Sequence, residues 1–274
     1  MAEAHGHRLT GAIEKFNRSK ETFDQLRAEM ADFFTGSERP YSSTGAFDET
    51  SWEWIERFQI HRRLPLRFGV LLGDCVHNLR SSLDHTVWQT TLLDGGVPDH
   101  RTQFPIASRS EDQFERMADA GIPGLSDEHR QIIKSAQPYH RGADARTHPL
   151  SVLADLSNTD KHQVVNTAYS FMRQDADTIL DGLVGRYPGP GPSPVESFWV
   201  LTHGSRLEDG EPWLRIKWRS DQAPPDAVGL SGQLELGVAF GDFGLNAEDF
   251  KEVARTVLAI VQSLMRDFPE TEFV

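Results

Sequence analysis

Leu64–Asp94 reads LPLRFGVLLGDCVHNLRSSLDHTVWQTTLLD. Leu72, Val76, Leu79, Leu83 and Val87 recur at spacings of three and four, which is one stripe of a helix. Asp74, His77, Asn78, Ser81, Asp84 and His85 fall on the other side, with Arg80 on the flank. At about 3.6 residues per turn, the centres of the two faces lie roughly 180° apart. A surface helix usually fills its polar face with Glu and Lys. Here that face holds hydrogen-bonding and proton-transfer types instead. The stretch predicts a central helix over 65–93 that carries the candidate site.

Upstream, Leu9, Ile13, Phe16, Phe23, Leu26, Met30 and Phe33 predict an amphipathic helix over 8–35, stopped at Gly36. Residues 37–50 read as turns. Trp52, Trp54, Phe58 and Ile60 alternate with Glu53, Arg57 and Gln59 and predict a strand. The basic run Arg57, His61, Arg62, Arg63 and Arg67 is either solvated charge or a rim that faces phosphates.

Downstream, QFPI is a short extended piece and residues 110–120 a short helix. Ser126 caps another helix, ended by Pro138. Pro149 suits a first helical turn, and Leu150, Leu153 and Leu156 give that helix a buried face. It runs out at Asn158-Thr159-Asp160-Lys161-His162. Strands are expected at 163–171, 197–203, 212–218 and 233–240, with a turn at SRLEDG. The last helix, capped by Asn246, carries Phe250, Val253, Val257, Leu258, Val261, Leu264, Met265 and Phe268. The expected fold class is α+β. A helical part around helix 65–93 packs with one antiparallel sheet and a C-terminal helix. The whole of 1–274 is read as a single domain, with a loop or sub-domain break at 186–194 (RYPGPGPSP).

Hydrophobic residues make up 38% of the 274, enough for a core, so global disorder is excluded. The net charge of −13 opposes broad, non-specific binding to DNA or to anionic membrane. Cys75 is the one cysteine, which rules out an intrachain disulfide and reads as a small core residue. No signal-peptide core opens the sequence, and no apolar run approaches the roughly 18 residues of a membrane span. A cytoplasmic protein is expected.

Arg80 and His85 suit metal-independent RNA cleavage. A His titrates near neutral pH and an Arg stabilises a phosphate gaining charge. In that scheme a ribose 2′-hydroxyl attacks the adjacent phosphorus, His85 is general acid/base, Arg80 steadies the phosphate, and Asn78 and Asp84 orient them. Arg, four residues, His resembles the signature of the HEPN superfamily of helical ribonucleases, although Ser81 stands where that family usually has Asn, Asp or His. The resemblance implies RNA as partner and a homodimer, because two subunits usually form the site together. A wider set is similar to a recurring group of uncharacterised bacterial proteins: GDCVHNLRSSLDH, then FPI, then SAQPYH, then LADLSNTDKH. The paired HNLRSSLDH and NTDKH blocks imply an architecture and a site location without a reaction.

Two other readings compete. The polar face could be a structural hydrogen-bond network in a non-catalytic protein that binds a ligand or partner, with Trp52, Trp54, Trp199, Trp213 and Trp218 as candidate surface. Asp74 and His77, completed by Asp84, Asp160 or His162, could hold a metal ion for a hydrolase. No phosphate-binding loop, dinucleotide fingerprint or serine-hydrolase elbow is present, and no cofactor is expected. Under either leading reading, at least one of Asn78, Arg80, Asp84 and His85 should bond Asn158, Asp160, Lys161 or His162. Asp160 with Arg80 and Asp84 with Lys161 are the favoured pairs.

Overall fold

The computed structural model describes residues 10–171, 195–202, 205–219, 236–241 and 247–266. The chain is α+β, with helices and two antiparallel sheets. It divides into two compact units, one from 1–28, 67–165 and 247–274, the other from 29–66 and 166–246. The expected break at 186–194 lies outside the described residues.

The first unit is helical. It takes most of α1 (Thr10–Thr35) and nearly all of α2 (Leu66–Leu93). To these it adds α3 (Glu111–Gly121), α4 (Asp127–Ser135), a 3-10 stretch (Pro138–Thr147), α5 (Pro149–Asp160) and α6 (Ala247–Leu264). The five stripe residues of α2 are all buried, each at 1% exposure or less. α1 lies close to α2, because small buried hydroxyls stand between them. Ser19 Oγ donates to the Cys75 carbonyl at 2.9 Å and Ser82 Oγ to that of Ala12 at 2.8 Å. Phe23 of α1 meets Phe250 of α6 with ring centroids 4.6 Å apart. α6 also lies against α4 and α5. Its core residues are Phe250, Val253, Val257, Ile260, Val261 and Leu264, with Met265 buried just past its end. Leu258 is only half-buried, because one residue past Val257 is about 100° around the helix. Asn246 and Phe268 lie outside the described residues.

Helix starts follow local chemistry. Ser110 and Ser126 accept from the amides of Gln113 and His129, three residues on. His148 caps α5 with Nδ1, which accepts from the Leu150 amide at 3.1 Å, and Pro149 occupies the first turn.

The second unit holds both sheets. One orders β1 (Tyr41–Asp48), β2 (Glu53–Ile60), β6 (Pro212–Trp218) and β4 (Val195–Val200) as β1-β2-β6-β4. The other is β5-β3-β7, from β5 (Arg206–Leu207), β3 (Thr167–Phe171) and β7 (Leu236–Phe240). The single expected sheet is thus two, and part of the expected turn at SRLEDG is a strand paired to β3. β1 arises from residues read as turns. Its Ser, Thr and Gly residues are tolerated because it is an edge strand with mostly exposed or half-buried side chains. Phe34, Tyr41, Phe58 and Tyr169 pack edge to face or tilted between the sheets, with Phe58 and Tyr169 centroids 5.4 Å apart. No helix among the described residues is long and apolar enough to cross a membrane.

Candidate functional site

Arg80 and Asp84 stand one turn apart on α2 and so share a face. Arg80 Nε donates to Asp84 Oδ2 at 3.3 Å. The pair closes on one residue of the extended segment after α2. Arg80 Nη2 donates to the Phe104 carbonyl at 2.7 Å, and the Phe104 amide donates to Asp84 Oδ1 at 2.8 Å. The next peptides are held by Gln137, which is 1% exposed. Its Nε2 donates to the Pro105 carbonyl at 3.0 Å, and its Oε1 accepts from the Ala107 amide at 2.7 Å. The Tyr139 amide then donates to the Ala107 carbonyl at 3.1 Å. A buried backbone must find partners, and here side chains supply them where no sheet does.

Beside this clamp a cleft of about 360 Å³ opens, lined by Asp84, His85, Trp88, Gln89 and Thr102. His85 is exposed, and α1 passes close to it: a Cβ on Gly11 would sit 3.3 Å from the imidazole Nδ1. Trp88 is 38% exposed. Gln89 Oε1 is buried with no hydrogen-bond partner among the described residues. Arg80 does not line the cleft. It precedes His85 by five residues, about 140° around the helix, and its guanidinium is committed to Phe104.

The second cluster reaches α2 earlier along its axis. The Asp160 carboxylate lies over Gly73, where a Cβ would be 1.9 Å from Oδ1. One turn back, a Cβ on Gly69 would be 2.2 Å from the Val165 carbonyl oxygen. Burial, then the nearby Asp74, push the Asp160 carboxyl above the usual range, with His77 opposing them. Asn158, Lys161 and His162 are exposed. None of the expected bonds forms. Asn78 donates to the Asp74 carbonyl at 2.8 Å instead, and Arg80 and Asp84 hold Phe104. The physical reason is the glycine pair. It draws the end of α5 to Gly73, seven residues or about 10 Å before Arg80.

Among the described residues no three His, Cys, Asp or Glu side chains gather as a metal site. The set Asp74, His77, Asp84 and His162 is not brought together, because Asp84 is held at Phe104. The basic run is partly spent inside the second unit. Arg57 Nη1 donates to the Gly210 carbonyl at 3.1 Å, His61 Nε2 lies 2.8 Å from Ser42 Oγ, and Arg62 lies over the Phe33 ring. Trp54, Trp213 and Trp218 are core, Trp52 is half-buried, and Trp199 is 45% exposed.

Sequence reasoning missed Thr102, Phe104, Gln137, Trp88 and Gln89. The FPI and SAQPYH blocks were the signal for two of them, and Gly69-x-x-x-Gly73 was the signal for the close approach. The four quoted blocks meet in this unit, through Arg80 and Asp84, Phe104, Gln137, and Asp160. Comparison with family models, with curated proteins and with solved structures found no match. Fold and site together define a two-unit α+β protein with a side-chain-clamped extended segment and an open cleft next to it.

Proposed function

We propose that this is a ligand-binding protein in which Arg80 and Asp84 are structural and the cleft at His85, Trp88, Gln89 and Thr102 is the binding site. One observation carries the reading: both members of the pair are consumed by the backbone of Phe104. What remains lining the cleft beside Asp84 is the half-exposed indole of Trp88, the exposed imidazole of His85, Gln89 and Thr102. Such a lining suits a planar polar molecule that stacks on Trp88 and bonds the exposed His85 imidazole. The clamp positions the cleft wall, because Thr102 is two residues from Phe104. A cytoplasmic location is part of the proposal, since the lone Cys75 is buried and needs no oxidising compartment. The test is ligand-observed NMR with nucleosides and aromatic amino acids on the wild type and Trp88→Ala. Binding that Trp88→Ala abolishes supports the reading. Binding that survives the variant unchanged overturns it.

A second reading, a HEPN-like metal-independent endoribonuclease, is favoured by one observation: His85 is exposed in a cleft large enough for a phosphate. His85 would be the general acid/base, and Arg80 and Asp84 would be positioning residues. The cation for the phosphate would come from a second copy of the chain in a homodimer. Incubation with mixed RNA in EDTA decides it. Cleavage leaving 2′,3′-cyclic phosphate ends, lost in His85→Ala, supports this reading. Intact RNA with a confirmed dimer removes it.

A further inference from the structure

Segment 101–105 separates two concavities. Thr102 faces the His85 cleft, whereas Arg101, Gln103 and Pro105 line a groove of about 450 Å³ on the other side. That split is the period-two alternation of an extended backbone. α3 supplies the facing wall through Arg116, Met117 and Ala120.

The charges of α3 are sorted by face. Glu111, Glu115 and Asp119 recur every four residues and are neutralised from α4. Lys134 Nζ lies 2.5 Å from Glu111 and 2.7 Å from Glu115, and Arg130 Nη2 lies 2.5 Å from Glu115 and 2.7 Å from Asp119. Those bonds hold the Glu115 carboxyl below its usual range, with the hydrogen bond from Lys134 the largest cause. Arg116 lies about 100° around the helix from Glu115, one turn after Asp112. The side chains of Arg101 and Arg116 have no ion pair or hydrogen bond among the described residues. Asp112 stands one turn before Arg116 and Asp99 accepts from the Arg101 amide at 2.8 Å, yet neither carboxylate forms an ion pair with these guanidinium groups. Two guanidinium groups without an ion pair therefore share one groove in a chain of net charge −13.

We propose that this groove binds a small organic phosphate. Guanidinium groups pair with phosphate oxygens through forked, charge-assisted hydrogen bonds, and the Gln103 amide adds a donor. Pro105, Met117 and Ala120 form an apolar wall for the body of the ligand. The volume lies within the usual range for small-molecule sites. The inference is independent of the cleft at His85, because no residue lines both.

The test is calorimetric titration with adenosine 5′-monophosphate, inorganic phosphate and adenosine as probes, at low and at raised salt. The nucleotide should bind more tightly than inorganic phosphate, adenosine should not bind, and affinity should fall with salt. Arg101→Gln and Arg116→Gln should each weaken the nucleotide about tenfold, as expected for losing one charge-assisted contact. The double variant should show no binding. Arg109→Gln, an exposed neighbour outside the lining, removes the same charge and should change affinity less than twofold. All three positions are exposed, and unchanged melting curves check that the variants fold. Failure to bind at millimolar nucleotide, retention of binding in the double variant, or equal affinity for nucleotide and adenosine would each overturn the proposal. Equal affinity for inorganic phosphate would remove the organic body from it.

Discussion

Gly69 and Gly73 sit one turn apart on α2, and alanine should lower stability at the first and not at the second. In a helix interior, Gly→Ala alone gains about 1 kcal/mol. At Gly69 the new Cβ would stand 2.2 Å from the Val165 carbonyl oxygen and 2.8 Å from Val164 Cγ1. Ordinary contact begins near 3.4 Å, so the carbonyl must retreat by 3.4 − 2.2, about 1.2 Å. That atom is backbone and cannot rotate aside, which puts the cost at the upper end of the roughly 1–3 kcal/mol of overpacking. The net loss for Gly69→Ala is about 1–2 kcal/mol, which lowers the melting midpoint by roughly 2–8 °C in a chain of this size. At Gly73 the obstacle is the end of a side chain. Asp160 swings away by rotating about its χ angles, and its carboxyl leaves a place where burial disfavours its charge. Gly73→Ala should therefore leave stability unchanged or raise it by up to about 1 kcal/mol. Thermal and urea denaturation of the two variants beside the wild type measure the difference. A Gly69→Ala protein as stable as wild type would refute the close approach and the packing of residues 160–165 on α2.

Asp84→Ala leaves the Phe104 amide without its partner and Arg80 with the Phe104 carbonyl alone, and should cost about 1–3 kcal/mol by urea denaturation. Leu264→Ala, at 0% exposure, should cost about 2–5 kcal/mol, and Leu258→Ala, half-buried, clearly less in the same assay. Burial, then Arg141 and His140, push His148 down to about 4. The unfolded chain takes up this proton as pH falls through about 6.5 and the folded chain only near 4, so the stability from neutral His148 is present above 6.5 and lost between those values. His148→Asn keeps a cap and should flatten that limb of a melting-midpoint profile. Burial pushes the Cys75 thiol up to about 12, so alkylation by iodoacetamide should wait for unfolding.

Periodicity made the helices legible. α2 was visible in five apolar residues at helical spacing, and α5 in a proline followed by a leucine stripe. β1 was not visible, because YSSTGAFD is rich in Ser, Gly and Asp and becomes a strand by pairing with β2. Nor could alternation reveal two sheets, since a strand's pattern records its buried face and not its neighbour. At the site, Arg80 and Asp84 were readable as a pair one turn apart. Their partner was not, because Phe104 is 24 residues from Arg80 in sequence and offers only backbone, which carries no side-chain signature. The approach of Asp160 to Gly73 was written in the absence of a side chain, which a search for polar partners passes over.

The clamp on Phe104–Ala107 also has a consequence for association. An extended run with free amides and carbonyls is a template on which another chain can add a strand. Here one edge is occupied by Arg80 and Asp84 and the other by Gln137. Side chains thus take the place of neighbouring strands along Phe104, Pro105 and Ala107, and those backbone groups are closed to a second molecule. Loss of Asp84 or Gln137 would uncover backbone groups of such an edge.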